Sequence, residues 1–240
     1  MITWLDDNSY VFPLPQTALK EPDGLLAAGG DLSPQRLVNA YANGIFPWYN
    51  PGEPILWWSP DPRCVLFPAD AHLSRSLKKA FIKTKPTLTF DKAFDRVISQ
   101  CAKPRQDGQG TWISDAMNQA YNQLHQLGFA HSIEVWQQEQ LVGGLYGVSI
   151  GPFFFGESMF SRAPNASKFA LFALAQQCKR WGYELIDCQV SNPHLFTMGA
   201  QEIPRQSFLN RLDARIEEPI SHDWSFDDDL LDFIYHPERA

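Results

Sequence analysis

Three strand-like runs stand almost end to end in the middle of this chain: HSIEVW (131–136), LVGGLYGVSI (141–150) and PFFFGESMF (152–160). The spacers QQEQ and IGP suit short reversals, so the runs read as an antiparallel meander. A helix comes next from Ala166 to Trp181, opened by Asn165 and closed by Gly182. Phe169, Leu171, Phe172, Leu174 and Ala175 leave it almost no polar side, so it has to be buried nearly all round. The next residues, ELIDCQV (184–190), read as a further strand.

Around this centre the pattern is simpler. The first sixty residues are rich in Pro and Gly and spell one clear helix, with Ser33 as N-cap, Pro34 at the first position and Gly44 as the stop. Residues 1–62 are expected to form a small N-terminal domain that leans on the rest of the chain, since a piece that short buries too little surface alone. From Arg63 the chain alternates: a strand at CVLF, a basic helix near Leu73–Ile82, a strand at TLTF and a helix over Lys92–Gln100. Another helix begins after Ser114, with Met117, Ala120, Tyr121, Leu124 and Leu127 on one face and Gly128 closing it. A last pair of elements is expected around Phe208–Ile216. Helices, meander, central helix, strand is the element order of a GNAT-like acyltransferase domain, so the expected fold class is α+β, with that domain over residues 63–240.

Bulk properties exclude several classes. No run of about 18 apolar residues is present for a membrane span. The start, MITWLDDNSY, carries acid where a signal peptide carries base, and four scattered cysteines without a CxxC pair fit reduced thiols in a cytoplasmic protein. The formal charge of −7 argues against indiscriminate nucleic-acid binding. Yet Arg75, Lys78, Lys79, Lys83 and Lys85 fall between His72 and Phe90 with no acid among them. That stripe suits a phosphate backbone, or is simply a solvated helix face.

Chemistry is best sought at three places. In a regular strand Asp187 and Gln189 share a face, where a carboxylate and an amide can grip one reacting group, or else only satisfy backbone at the strand end. Glu157 lies between FFF and MF, where an acid is costly to bury unless paired, either with Arg162 or with a cationic ligand. Trp48, Trp57, Trp58 and Trp112 belong to the core or serve as stacking platforms worth about 1–3 kcal/mol per base. No HExxH, tight His/Cys cluster, Walker loop or GxGxxG is present, so neither a metal nor a nucleotide cofactor is indicated. Cys188 as a nucleophile with His131 as its base is weaker than a packed thiol, because Cys188 takes the strand face opposite Asp187.

Ten segments in order, EPDGLLAAGGDLSP, AYANGIFPWY, ILWWSPDPR, HLSRSLKK, GTWIS, HSIEVW, LVGGLYGV, GESMFSR, NASK and LIDCQV, together resemble the bacterial leucyl/phenylalanyl-tRNA–protein transferases, from Phe12 to Ile203. The resemblance implies transfer of Leu or Phe, and Met less well, from aminoacyl-tRNA to the α-amino group of proteins that begin with Arg or Lys. That transfer marks the proteins for N-end rule degradation. It implies a GNAT-like fold and no cofactor; separately, no membrane partner and a monomer are expected. By resemblance, Asp187 and Gln189 are catalytic and Glu157 is the buried acid of the substrate site. Trp48 and Trp112 would stack the terminal adenosine. Leu145, Phe154, Leu171, Leu174 and Ile186 would line the amino-acid pocket, and Arg75, Lys78 and Lys79 would meet the tRNA acceptor arm. Two alternatives stand beside this: a GNAT-type N-acetyltransferase, whose Gly-rich acyl-CoA turn is replaced here by FSRAPNASK, and a non-catalytic tRNA-binding module.

Overall fold

The computed structural model describes residues 2–7, 9–103, 113–220 and 222–235. The Pro- and Gly-rich beginning supplies β1 (Thr3–Leu5), β2 (Leu25–Gly29), α1 (Pro34–Ala42), β3 (Phe46–Pro47) and β4 (Leu56–Trp58), and its strands form a small sheet in the order β1-β2-β4-β3. Ser33 caps α1 by accepting the Arg36 N–H, and Gly44, at a φ of 71°, turns the chain out of the helix. Beyond these come β5 (Arg63–Leu66), α2 (Arg75–Thr84), β6 (Thr87–Phe90), α3 (Phe94–Cys101) and α4 (Asp115–Gln126). The meander is β7 (Ala130–Gln137), β8 (Gln140–Ile150) and β9 (Phe153–Ser161). The buried helix α5 (Ala166–Trp181) and strand β10 (Leu185–Gln189) come after it. The chain then runs through α6 (Pro193–Phe196), β11 (Gln201–Ile203), α7 (Arg205–Arg215) and α8 (Asp232–Tyr235).

The larger sheet has seven strands in the order β11-β5-β10-β9-β8-β7-β6. Its meander pairs are antiparallel, whereas β9 and β10 run parallel because the whole of α5 intervenes to carry the chain back. One face is covered by α3, α4 and the N-terminal elements, where Leu37, Tyr41 and Trp57 join Val97, Tyr121 and Phe208 in one apolar cluster. The other face is covered by α5, α2 and the C-terminal residues, with Phe81, Phe169, Leu174 and Leu231 in a second cluster. The result is a mixed α+β fold whose N-terminal segment shares its core with the larger sheet. No helix among the described residues is long and apolar enough to cross a membrane.

Three local expectations need correction. Asn165 does not cap α5 through its side chain; it adopts a left-handed backbone, φ 68°, and turns the chain into the helix instead. Leu127 is exposed, because α4 has ended and its apolar stripe with it. The residues around Phe208–Ile216 form the single helix α7, preceded by the short β11. The residues after α7 make specific contacts. Asp227 accepts hydrogen bonds from Gln177 Nε2 and Arg180 Nη1, each at 2.9 Å, and Trp224 stacks on His131 with ring centroids 3.9 Å apart.

The glycines of LVGGLYGVSI permit close packing that no side chain would allow. A Cβ on Gly147 would run into the Phe155 carbonyl oxygen and stand 2.6 Å from the Phe154 ring. Gly147→Ala is therefore expected to lower unfolding free energy in urea by about 1–3 kcal/mol, the usual range for overpacking.

Candidate active site

One cavity of about 460 Å³ opens where β8, β9, α5 and β10 converge, a volume typical of small-ligand sites. Leu145, Phe154, Leu171, Leu174 and Ile186 form its apolar wall. These five pocket residues come from four separate elements, and the structure brings all of them together. Glu157 and Gln189 form the polar end, and Cys188, Asn192 and His194 also face inward.

Glu157 is half-buried and carries three donors. Tyr41 Oη reaches Oε1 at 2.7 Å, Tyr121 Oη reaches Oε2 at 2.9 Å and Gln189 Nε2 reaches Oε1 at 2.8 Å. Burial raises its pKa most strongly; the three hydrogen bonds lower it and the charge of Asp187 adds a further rise, leaving it at about 7. Arg162, the other partner that the sequence offered, instead donates to Gln100 Oε1 on the surface at 3.2 Å. Tyr146, also at the cavity, is fully buried with a hydroxyl that has no partner among the described residues.

Asp187 does not join this group. Its two oxygens accept Arg63 Nε at 2.8 Å and Arg63 Nη2 at 2.6 Å, and neither side chain has solvent exposure. The shared face expected of Asp187 and Gln189 assumes regular alternation. The ladder to β5 is irregular between these two residues, and Gln189 stands at a φ of 63°. Gln189 therefore turns its amide to Glu157 while its backbone N–H bonds back to Asp187 Oδ1 at 2.9 Å.

Cys188 faces the cavity, but the adjoining Cys64 thiol and burial push its pKa well up, so it is held as a thiol. His131 does not assist it: its ring nitrogens face Asp91 at 2.6 Å and the Gly128 carbonyl at 3.1 Å. With His125, these residues bring potential ligand atoms within 4.8 Å of one another. Both His131 nitrogens are engaged in this arrangement, and His125 Nδ1 lies 2.7 Å from the Ala130 carbonyl.

Trp48 is 47% exposed, its ring 5.7 Å from that of Trp58, and it stands outside the cavity wall. Trp57 is fully buried, and Trp112 lies outside the described residues. On α2, Leu77 and Phe81 face inward, which leaves Arg75 and Lys79 exposed and Lys78 half-buried. His72 N–H donates to the Met198 carbonyl at 2.9 Å, tying the approach to α2 to the turn beyond cavity residue Leu195. Sequence reasoning missed Arg63, Tyr41 and Tyr121, the last two because they sit on apolar helical stripes that read as core. It also missed His194, whose pKa burial and the nearby Lys168 both lower.

This geometry sets two measurable expectations. Asp187→Ala strands a buried guanidinium and should cost about 3–5 kcal/mol in urea unfolding, and an apolar replacement of Arg63 as well should recover much of it. Glu157 has a folded pKa near 7 against an ordinary 4.5, so its contribution to stability is full below 4.5 and lost as pH rises through about 7. Glu157→Gln should therefore gain stability relative to the parent as pH is raised from about 5 to about 8.

Comparison with known proteins bears on the whole chain. A family model described as leucyl/phenylalanyl-tRNA protein transferase matches residues 65–213, and one for that family's N-terminal domain matches residues 30–61. A leucyl/phenylalanyl-tRNA–protein transferase of Ectopseudomonas mendocina is 55% identical over 224 residues, covering 93% of this chain and 99% of the relative. One of Cellvibrio japonicus is 57% identical over 219 residues, covering 91% and 93%. A solved structure, that of L-PGS from Bacillus licheniformis, is 14% identical with a TM-score of 0.39 over 70% of this chain and 54% of that one, too slight a likeness to assign a fold. With both family models matched in order and relatives aligned almost end to end, the chain belongs to the leucyl/phenylalanyl-tRNA protein transferase family.

Proposed function

We propose that this chain is an aminoacyltransferase that moves Leu or Phe, and Met less well, from aminoacyl-tRNA to the α-amino group of proteins that begin with Arg or Lys. The observation that carries the reading is an apolar cavity closed at its polar end by Glu157 and Gln189, with the Glu157 pKa at about 7. The apolar wall takes the acyl side chain and the polar end takes the amine. Arg75, Lys78 and Lys79 meet tRNA phosphates, with Trp48 and Trp112 against the terminal adenosine. The same reading includes a small domain over 1–62, a GNAT-like catalytic domain over 63–240, a monomer, a cytoplasmic location and a role in N-end rule degradation.

The donor ester is already activated, so the enzyme has to align it and manage one proton. The attacking amine, with a reference pKa near 7.7–8.0, is roughly one-fifth neutral at about pH 7.3. Its nitrogen bonds to the ester carbonyl carbon, and the bond from that carbon to the ribose oxygen breaks. The proton lost by the amine passes to the Glu157 carboxylate and from there to the leaving ribose oxygen. Gln189 donates to Glu157 through its amide nitrogen, which leaves its carbonyl oxygen to orient the amine. Asp187, paired with Arg63, accepts the Gln189 backbone N–H and so holds Gln189 in place for this step. Alignment of the two substrates supplies several kcal/mol more.

The test is transfer of radiolabelled Leu from leucyl-tRNA to two peptides that differ only in an N-terminal Arg or Ala. Label is expected on the Arg peptide alone. With Glu157→Gln the rate should fall by about 10²–10⁴-fold, and the acid limb of kcat should lose one of its two ionisations. Bound tRNA without transfer to either peptide would replace the enzyme by a binding module.

A further inference from the structure

Behind Glu157, and not themselves part of the cavity wall, stand two side chains that the transfer scheme does not use. Tyr41 comes from α1 and Tyr121 from α4, eighty residues apart, and both are fully buried. Each donates to a different oxygen of Glu157, and their own hydroxyls are in direct contact. The four oxygens close a ring with three contacts between residues. When Glu157 is ionised, the two phenolic protons serve its two oxygens. Once Glu157 holds a proton there are three protons for three contacts, and rotation of the hydroxyls lets every contact be bridged. The site therefore accommodates both states of the carboxyl without a stranded donor, which a buried proton acceptor requires.

We propose that Tyr41 and Tyr121 are positioning residues for the transfer, holding Glu157 in orientation by donating to both of its oxygens so that it can take the proton of the attacking amine. The inference rests on the reading of Glu157 as proton acceptor and deepens it: the N-terminal segment, through Tyr41, supports Glu157 from behind the cavity. Burial alone disfavours the anion, and the two phenols and Gln189 are the groups that oppose it. The other titratable groups facing Glu157 do not help the anion. Asp187 on β10 is a like charge, itself paired with Arg63 on β5, and Tyr146 on β8 lies close enough to feel the charge. Both phenols in turn are pushed well above their ordinary range by burial and by the Glu157 charge, so they remain donors at any working pH.

The direction of a Tyr→Phe change is set by bond strengths. Each substitution removes a charge-assisted bond from the ionised state and a neutral one from the protonated state. The first kind is about twice as strong, so the anion loses more and the carboxyl holds its proton to higher pH.

The test reads Glu157 directly by NMR titration of protein labelled with ¹³C at glutamate Cδ, with Glu157→Gln to assign the signal. The titration midpoint should rise by about one pH unit, a tenfold change in proton affinity, in both Tyr41→Phe and Tyr121→Phe. The acid limb of kcat should move with it, so that the rate drops about tenfold near pH 6.5 and recovers near pH 8.5. Where a Phe variant fails to fold, 3-fluorotyrosine replaces tyrosine in the parent chain; its more acidic phenols should lower the midpoint. Unmoved midpoints, or a loss of rate equal at every pH, would overturn the proposal. Raised midpoints in a protein that transfers nothing would instead remove the transferase reading and leave the positioning role standing.

Discussion

Arg63 sits with no solvent exposure, and four parts of the chain meet at its guanidinium. It binds both oxygens of Asp187 on β10 and donates to the Gly44 carbonyl at the end of α1 at 3.2 Å. It also lies 4.9 Å from the Phe46 ring centroid and 4.7 Å from that of Phe208. A buried ion pair is weak evidence of stability, since desolvation offsets most of its attraction. Its value here is positional. A guanidinium stripped of water has to keep all its partners, and those partners are the N-terminal segment, α7 and the strand beside the cavity. The end of α1 is thereby fixed relative to β10, which is what allows Tyr41 to reach Glu157 on β9.

The same pair explains the irregular end of β10. Asp187 is turned fully toward Arg63, and the chain must still deliver Gln189 to the cavity two residues on. Regular alternation would send both side chains the same way. The left-handed backbone at Gln189 breaks that alternation, and the bond from its own N–H to Asp187 Oδ1 holds the turn. A non-glycine residue at φ 63° is uncommon, and strained backbone of this kind gathers where a site demands it.

The parts legible in sequence were those written in local pattern. The meander, the nearly all-apolar α5 and the strand after it are periodicity and length, and they fold much as the pattern dictates. The apolar wall was legible only through the family's motifs, because Leu145, Phe154, Leu171, Leu174 and Ile186 meet through the topology of the sheet. Composition singled out Glu157 as a costly acid among aromatics, but not its partners. Tyr41 and Tyr121 look like ordinary members of helical stripes, and nothing local marks a phenol whose hydroxyl meets a carboxylate across the core. Arg63 was silent for the same reason: its role exists only once four distant segments converge. The alternation rule at Asp187 and Gln189 failed because a distant cation, absent from any local pattern, overrode it.

Two neighbouring carboxyls thus have opposite company. Asp187 has a cation on both oxygens and no solvent exposure, and it is turned toward Arg63 rather than the cavity. Glu157 has two phenols and an amide, no ion pair among the described residues, and an open side toward the cavity. Only the second arrangement leaves a carboxyl whose charge changes close to neutral pH, where an α-amino group also titrates. The difference comes from environment alone: one carboxyl is locked by a cation, and the other is held by neutral donors.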